Sequence, residues 1–537
     1  TSSWGGGIVG GEKFQSGSEI TVTNCSNRGV VSHTSSAKEK YVGGIVGLSQ
    51  KCTISHCRNI GKVTGKCQYV AGILGYGIAN SSVSYCYNVG EVSSTPPSNV
   101  GVYVYGIAGN TSVVTHCVNA GKVINITEKS TYAISSGSSN VCINAGDLSG
   151  GTDGTYVFAN NTTNRDNHYS IGRLQGGGNT YLGGCYVDTL RVPSYVSSTY
   201  AYKRSTSTLT GASVSPFASN TTDWVCSAGV YPRIKGLEDD TLSKVLALPI
   251  IFTGSDNVDN VTSDFTVRSQ WGIVWSIEGT SGATITSPVD NYQTVTLPSN
   301  RTNGNIILKA RFEDTCCYRI TLVMGVTPPD TALTVNNLTE LMALRTGINS
   351  GMPFTYRNAA VSAGGKGTTF RLTTNIDINN DWTPIGTEIH PFEGTFDGDG
   401  HNISGMKQIN LTYSGLFGYV HNGKVTNLNL LSVNINSPQQ TGGICTYLQG
   451  GVISNCRVSG DFIYSTEVAD AIKYRGGIAA VISDGAKVTN CFNEANLKGA
   501  VSAHVGGIVG RALSTSCVIE KCINAGSITN VQNGAGI

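Results

Sequence analysis

Charge is scarce in this sequence. Of its 537 residues only 13% are charged, and the net charge is +2, which removes the basic footprint of a nucleic-acid binder and the polybasic arm of a membrane-surface protein. Methionine is rare, at 4 residues, and helical periodicity is missing from the repeated segments described below. No run approaches the roughly 18 apolar residues of a membrane-spanning helix. Cysteine is plentiful at 16 residues, yet no Cys-x-x-Cys pair occurs. His56 and His116 directly precede Cys57 and Cys117 and so lack metal-ligand spacing. No Gly-x-Ser-x-Gly elbow joins a strand to a helix. The glycine-rich blocks recur throughout and open no helix, so a nucleotide site is not indicated either. What is present is 68 glycines among abundant Ser, Thr and Asn, the composition of an all-β chain with many turns.

A repeat organises that composition. Seven times a cysteine is followed two residues later by asparagine: Cys25 and Asn27, Cys57 and Asn59, Cys86 and Asn88, Cys117 and Asn119, Cys142 and Asn144, Cys491 and Asn493, Cys522 and Asn524. The spacing of roughly 30 residues is that of stacked supersecondary units. Three residues before the cysteine the position is apolar, as at Val22, Ile54, Val83, Val114, Val488 and Ile519. Six residues after it stand Val31, Val63, Val92, Val123, Leu148, Leu497 and Ile528. Upstream lies a glycine block, as in Gly43-Gly44-Ile45-Val46-Gly47 and Gly506-Gly507-Ile508-Val509-Gly510. Each unit reads as three short strands: the glycine block, the cysteine block and the Gly-Lys-Val type block at Gly61-Lys62-Val63. A strand cannot bury its apolar face alone, so the units are expected to stack, with like residues in columns. The cysteines then form an interior ladder of free thiols acting as small hydrophobes. The asparagines mark a corner, and the glycines two residues on (Gly29, Gly61, Gly90, Gly121, Gly146, Gly526) are expected to supply a positive φ. Cys52 and Cys517, each five residues before a ladder cysteine, are expected on the opposite face at that odd offset.

Three domains follow. Residues 1–238 form a first β-solenoid whose repeats fade after Gly146 into irregular coils and a closing cap. Residues 239–326 lose the repeat and alternate as short strands (Phe265–Val267, Ile273–Ile277, Thr294–Leu297, Ile306–Ala310, Tyr318–Val323) around Trp275, which fits an Ig-like β-sandwich. Residues 327–537 form a second β-solenoid. Its 330–410 portion carries the one clear amphipathic helix, Asn337 to Asn349, stopped by Gly351, and its repeats occupy 411–537. The chain opens and stops inside repeats, which predicts a segment of something longer.

The glycine blocks, the Val-x-x-Cys-x-Asn-x-Gly units, and the preceding Trp382-Thr383-Pro384-Ile385-Gly386 and Phe396-Asp397-Gly398-Asp399-Gly400-His401 together resemble the GLUG-motif repeat family. The resemblance covers about 450 residues, everything outside the sandwich, which itself resembles bacterial Ig-like modules. It implies right-handed parallel β-helices in secreted or surface-anchored, adhesin-like bacterial proteins, and it carries over no catalytic residue. The expected role is therefore non-enzymatic attachment at the bacterial cell surface to a glycan or extracellular protein ligand, with no cofactor. The alternatives are a stalk or filament segment that contacts further copies of the same structure, and a β-helix carbohydrate-active enzyme. Two groups of side chains bear on this. Asp397 and Asp399 are the candidate calcium loop, read against an ordinary glycine-rich turn. Tyr156, Tyr169, Tyr181 and Tyr186 are candidate ligand-facing aromatics, read against packing of a terminal cap.

Overall fold

The computed structural model describes residues 4–530 apart from short stretches, the longest being 159–167, 189–200, 236–256 and 464–472. The chain is nearly all β. The unit around Cys57 shows the construction. Tyr41–Gly43 lies in one sheet (A), Val46–Ser49 in a second (B), Cys52–Ser55 in a third (C), and both Arg58–Asn59 and Val63–Gly65 in a fourth (D). Every strand pairs in parallel with its counterpart in the next unit: Val42 faces Val70, Ile54 faces Val83, and Asn59 faces Asn88. Like residues are thus brought into columns, and the inward columns Val22, Ile54, Val83 and Val114 are fully buried.

The unit has five strands where three were expected, because the glycine block is a corner between sheets A and B and the cysteine block turns a second corner between sheets C and D. At that corner the neighbouring backbone comes too close for a side chain. A Cβ on Gly43 would sit 2.0 Å from the Val46 carbonyl oxygen, and one on Gly44 would sit 2.1 Å from that of Gly72. A second correction concerns backbone handedness. Gly61 and its equivalents are not left-handed; they are glycine because a Cβ would lie 2.0 Å from the Gly29 oxygen of the next unit. The positive φ falls on the residue just before each ladder cysteine: Asn24, His56, Tyr85, His116, Val141, Asn490 and Lys521, all between 49° and 54°. That corner resets the in–out alternation, so Cys52 and Cys57 are both buried despite their odd offset.

The two repeat arrays were expected to be separate stacks. They are one. Trp4 faces Tyr41 on one side and His504 on the other; Val22 faces Ile54 and Ile519; Asn27 faces Asn59 and Asn524; Val31 faces Val63 and Ile528. The unit 503–530 therefore stacks on the unit 4–33, and a single hydrophobic core runs through both arrays. The physical reason is the exposed strand edge: the N–H and C=O groups on the open side of the unit 4–33 find in-register partners only on another unit.

The far side of the second array is closed by the helix Leu338–Asn349. Its N-cap Asn337 accepts from the Glu340 N–H at 3.0 Å, Gly351 follows with φ 70°, and Leu341, Leu344 and Ile348 join the core. Beyond the first array the chain does something other than cap an end. Leu209, Val214, Phe217, Trp224 and Ile234 pack on Val118, Ile143 and Tyr186. Val118 and Ile143 stand between an inward cysteine and an inward asparagine, so this segment lies on the outer flank of sheet D. His116 Nε2 meets Asp223 there at 2.9 Å. Within 239–326, a four-stranded and a three-stranded sheet share a core of Val267, Trp275, Val295, Leu297, Ile306, Leu308, Leu322 and Met324. Buried Gln293 ties it together, accepting from the Trp275 N–H at 2.7 Å and donating to the Trp275 oxygen at 3.0 Å.

Candidate binding surface

The interior ladders are buried and run in register from unit to unit. Each asparagine Nδ2 donates to the Oδ1 of the next and to the carbonyl two residues ahead. The chain runs from Asn493 to Asn524 (2.7 Å), Asn27 (3.0 Å), Asn59 (2.8 Å), Asn88 (2.8 Å), Asn119 (2.9 Å) and Asn144 (2.9 Å). It crosses from one array to the other without a break. The glycine block and the asparagine are one device, since a Cβ on Gly44 would fall 2.4 Å from Asn59 Cγ, and one on Gly72 2.5 Å from Asn88 Cγ. The ladder cysteines donate weakly to carbonyls; Cys57 Sγ lies 3.3 Å from the Ser55 oxygen and 3.5 Å from that of Val22. All the cysteines described are free thiols. Burial raises the thiols of Cys25, Cys57, Cys86 and Cys142, the last up to about 12, which keeps these four protonated and unreactive. Such columns are scaffold, with no access for a substrate.

The outward columns are where a ligand could be met. Tyr474, His504, Trp4, Tyr41, Tyr69 and Tyr103 follow one another in register on sheet A, one per unit. Two positions on, Tyr105, Tyr132 and Tyr156 continue the line. Tyr419, Tyr447 and Tyr76 join from sheet B across the glycine corner. The rings stack in groups: Trp4 on His504 at 3.9 Å, Tyr41 on Tyr76 at 4.6 Å, Tyr105 on Tyr132 at 4.9 Å, Tyr132 on Tyr156 at 4.8 Å and Tyr419 on Tyr447 at 4.7 Å. At Gly11, which contributes no side chain, the Trp4 ring fills the gap. Arg511 lies over the Tyr474 ring at 4.9 Å. Eight of these twelve rings are half-buried, and Trp4, Tyr105, Tyr474 and His504 are buried. Burial, followed by neighbouring phenols, pushes Tyr69 up to about 12 and Tyr447 likewise. The half-buried tyrosines among them present phenols beside apolar ring carbon, suited to a polar, uncharged ligand with apolar faces.

Of the four tyrosines singled out from the sequence, Tyr156 has its ring in this strip. Tyr181 pairs with Tyr156 along the backbone, and its side chain lies outside the described residues. Tyr169 and Tyr186 are paired in sheet D instead, and Tyr186 is covered by Phe217 at 5.2 Å. The four do not make one platform. Sequence reasoning missed the rest of the strip, although a signal was there: an aromatic residue or histidine three positions before a block glycine, as in Trp4 and Gly7, Tyr41 and Gly44, Tyr69 and Gly72, Tyr103 and Gly106, Tyr474 and Gly477, His504 and Gly507.

Asp397 is occupied as a turn residue. It accepts from the Asp399 N–H and from Asn427 Nδ2, each at 3.0 Å, and pairs with Arg371 at 3.3 Å; Asp399 has φ 46°. Among the described residues no group of three His, Cys, Asp or Glu is placed to hold a metal ion.

Geometry thus defines an all-β protein of stacked parallel sheets with an aromatic flank, and no long apolar helix able to cross a membrane occurs among the described residues. The chain is similar to Halomucin of Haloquadratum walsbyi (strain DSM 16790 / HBSQ001), with 26% identity over 293 residues, 52% of this chain. It spans 3% of the length of that protein. No family model and no solved structure matches.

Proposed function

We propose that this chain is a segment of an extracellular, adhesin-like protein, a right-handed β-solenoid of GLUG-type repeats carrying an Ig-like module, and that it attaches to glycans without catalysis. The observation that carries this reading is the aromatic strip. Rings one strand spacing apart, about 4.8 Å, offer many small, equivalent contacts on a stiff backbone, and stiffness lowers the entropy cost of binding an extended chain. Similarity to Halomucin, a large surface protein, supports the extracellular placement. The test is a glycan and matrix-protein array probed with the intact chain and with the Tyr69→Ala/Tyr132→Ala double variant, after circular dichroism shows both folded. Saccharide binding that the variant weakens at least tenfold supports the reading; binding unaffected by the variant overturns it.

A second reading, a structural stalk, is favoured by one observation: the rings stack on each other, so part of their faces is already used. Uniform silence on the array favours that reading.

A further inference from the structure

The contact between the units 503–530 and 4–33 is unlike every other rung in one respect. Neighbouring units elsewhere in the stack are joined by chain within one array; these two are joined only by strand pairing and by the ladders. Among the described residues it is the rung whose two units stand farthest apart along the chain. All five strands pair across it, the asparagine ladder passes through it at 3.0 Å, the cysteine column passes through it with Cys25 Sγ 3.7 Å from the Ile519 oxygen, and the aromatic strip passes through it at Trp4 and His504. These are the contacts of an ordinary rung. Nothing in them distinguishes a unit of the same chain from the same unit of another.

The connection that closes the stack within one chain is long. In sheet D the column from Ile376–Asp377 to Ala201–Arg204 runs through fourteen successive strands, about 60 Å at ~4.8 Å per strand. Residues 205–332 leave one end of that column and must return to the other, where Leu333–Val335 forms the edge strand of sheet C. The chain has begun to double back at Trp224 and Ile234, which lie against Val118 on the flank.

We infer that this junction is also an interface between copies: the 503–530 unit of one chain stacks on the 4–33 unit of a second copy of the same chain. An opened junction exposes five strand edges with unpaired N–H and C=O groups, the Asn524 amide donor and the Asn27 carbonyl acceptor, and the surface that satisfies all of them in register is the matching unit. Because the two faces differ, the contact is head-to-tail and propagates into rings or filaments. Closure within the chain competes through its effective concentration, so exchange between chains takes over as concentration rises. The inference is independent of glycan binding.

The test uses the full chain with Thr23→Cys and Glu520→Cys, residues that face each other across the junction on outward positions, where adjacent strands suit a disulfide. As a comparison, Thr23→Cys with Ser55→Cys links neighbours within one array. Each protein is held in enough urea to open the junction, returned to buffer in dilute or concentrated solution, and oxidised, with the parent chain as background. The inference predicts that the junction pair links within one chain when dilute and between chains when concentrated, with light-scattering mass rising in multiples of 56.2 kDa, while the comparison pair stays intramolecular throughout. A junction disulfide that remains intramolecular with monomer mass at every concentration overturns it. So does intermolecular linkage by the comparison pair, which marks unspecific aggregation.

Discussion

Replacing Asn59 by alanine tests whether the asparagine ladder holds the stack or merely accompanies it. Asn59 Nδ2 donates to Asn88 Oδ1 at 2.8 Å and to the Gly61 oxygen at 2.9 Å, and Asn59 Oδ1 accepts from Asn27 Nδ2 at 2.8 Å. All of these groups are buried. Truncation strands the Asn88 oxygen, the Gly61 oxygen and one hydrogen of Asn27, which keeps its bond to the Gly29 oxygen at 2.9 Å. Each stranded group costs about 1–3 kcal/mol, so the expected loss for the three is about 3–9 kcal/mol, a large share of the roughly 5–15 kcal/mol of an ordinary domain. Asn59→Asp keeps the shape but turns the donor into an acceptor facing two oxygens. It should be at least as damaging at neutral pH and milder in acid, where the carboxyl is protonated and can donate. The comparison is Lys62→Ala, which removes a surface ion pair to Glu91 at 2.9 Å and should cost at most about 1 kcal/mol. Urea unfolding followed by circular dichroism reads all three. An Asn59→Ala midpoint no lower than that of Lys62→Ala would refute the argument.

Further outcomes follow from the same geometry. Gly61→Ala places a Cβ 2.0 Å from a backbone oxygen, whereas Gly367→Ala, with φ 75°, meets nothing within 4 Å; the first should destabilise by several kcal/mol and the second by only the left-handed penalty of about 1–2 kcal/mol, read as urea midpoints. His168 is buried against Phe158 at 4.3 Å and held down to about 4 by burial. A depressed value gives stability that is present above the unfolded-state value near 6.5 and is lost as pH falls toward 4. Unfolding scans from pH 7 to 4 should show that loss, and His168→Gln should flatten it. Burial raises Cys67 and Cys142 to about 12, so their contribution is full below about pH 9 and declines as pH rises from there toward 12. A stability unchanged between pH 8 and pH 11 would contradict this, as would alkylation of the ladder thiols in the folded chain.

Some of the architecture was legible because it is written locally. The columns of Val22, Ile54 and Val83 follow from a unit of constant length, since an apolar residue at fixed distance from the cysteine can only mark one inward position. The helix was legible to within a residue because its N-cap Asn337, its apolar stripe and its stop at Gly351 all lie in it or directly beside it. Other features are set by what a neighbouring unit does. Gly44 looks like strand chemistry until the Asn59 side chain and the Gly72 oxygen of other segments are placed against it, and Gly61 looks like a turn residue until the Gly29 oxygen arrives from the next unit. His56 and Val141 carry the left-handed corner, although neither is a residue type that announces it.

The junction was illegible for a different reason. Repeats fade after Gly146 and return near Gly415, and along the chain that gap reads as two objects. Pairing of strands does not respect chain order, and a repeat supplies the same edge at each end of an array. Gly506-Gly507-Ile508-Val509-Gly510 and Gly43-Gly44-Ile45-Val46-Gly47 match residue for residue, and Cys517 with Cys522 matches Cys52 with Cys57, so the unit 4–33 can be held between them as if they were consecutive. The same equivalence that hid the junction makes it exchangeable. A stack built from interchangeable rungs specifies which face meets which face, through the ladders and the glycine corner. It leaves to connection length and concentration the question of whose rung it is.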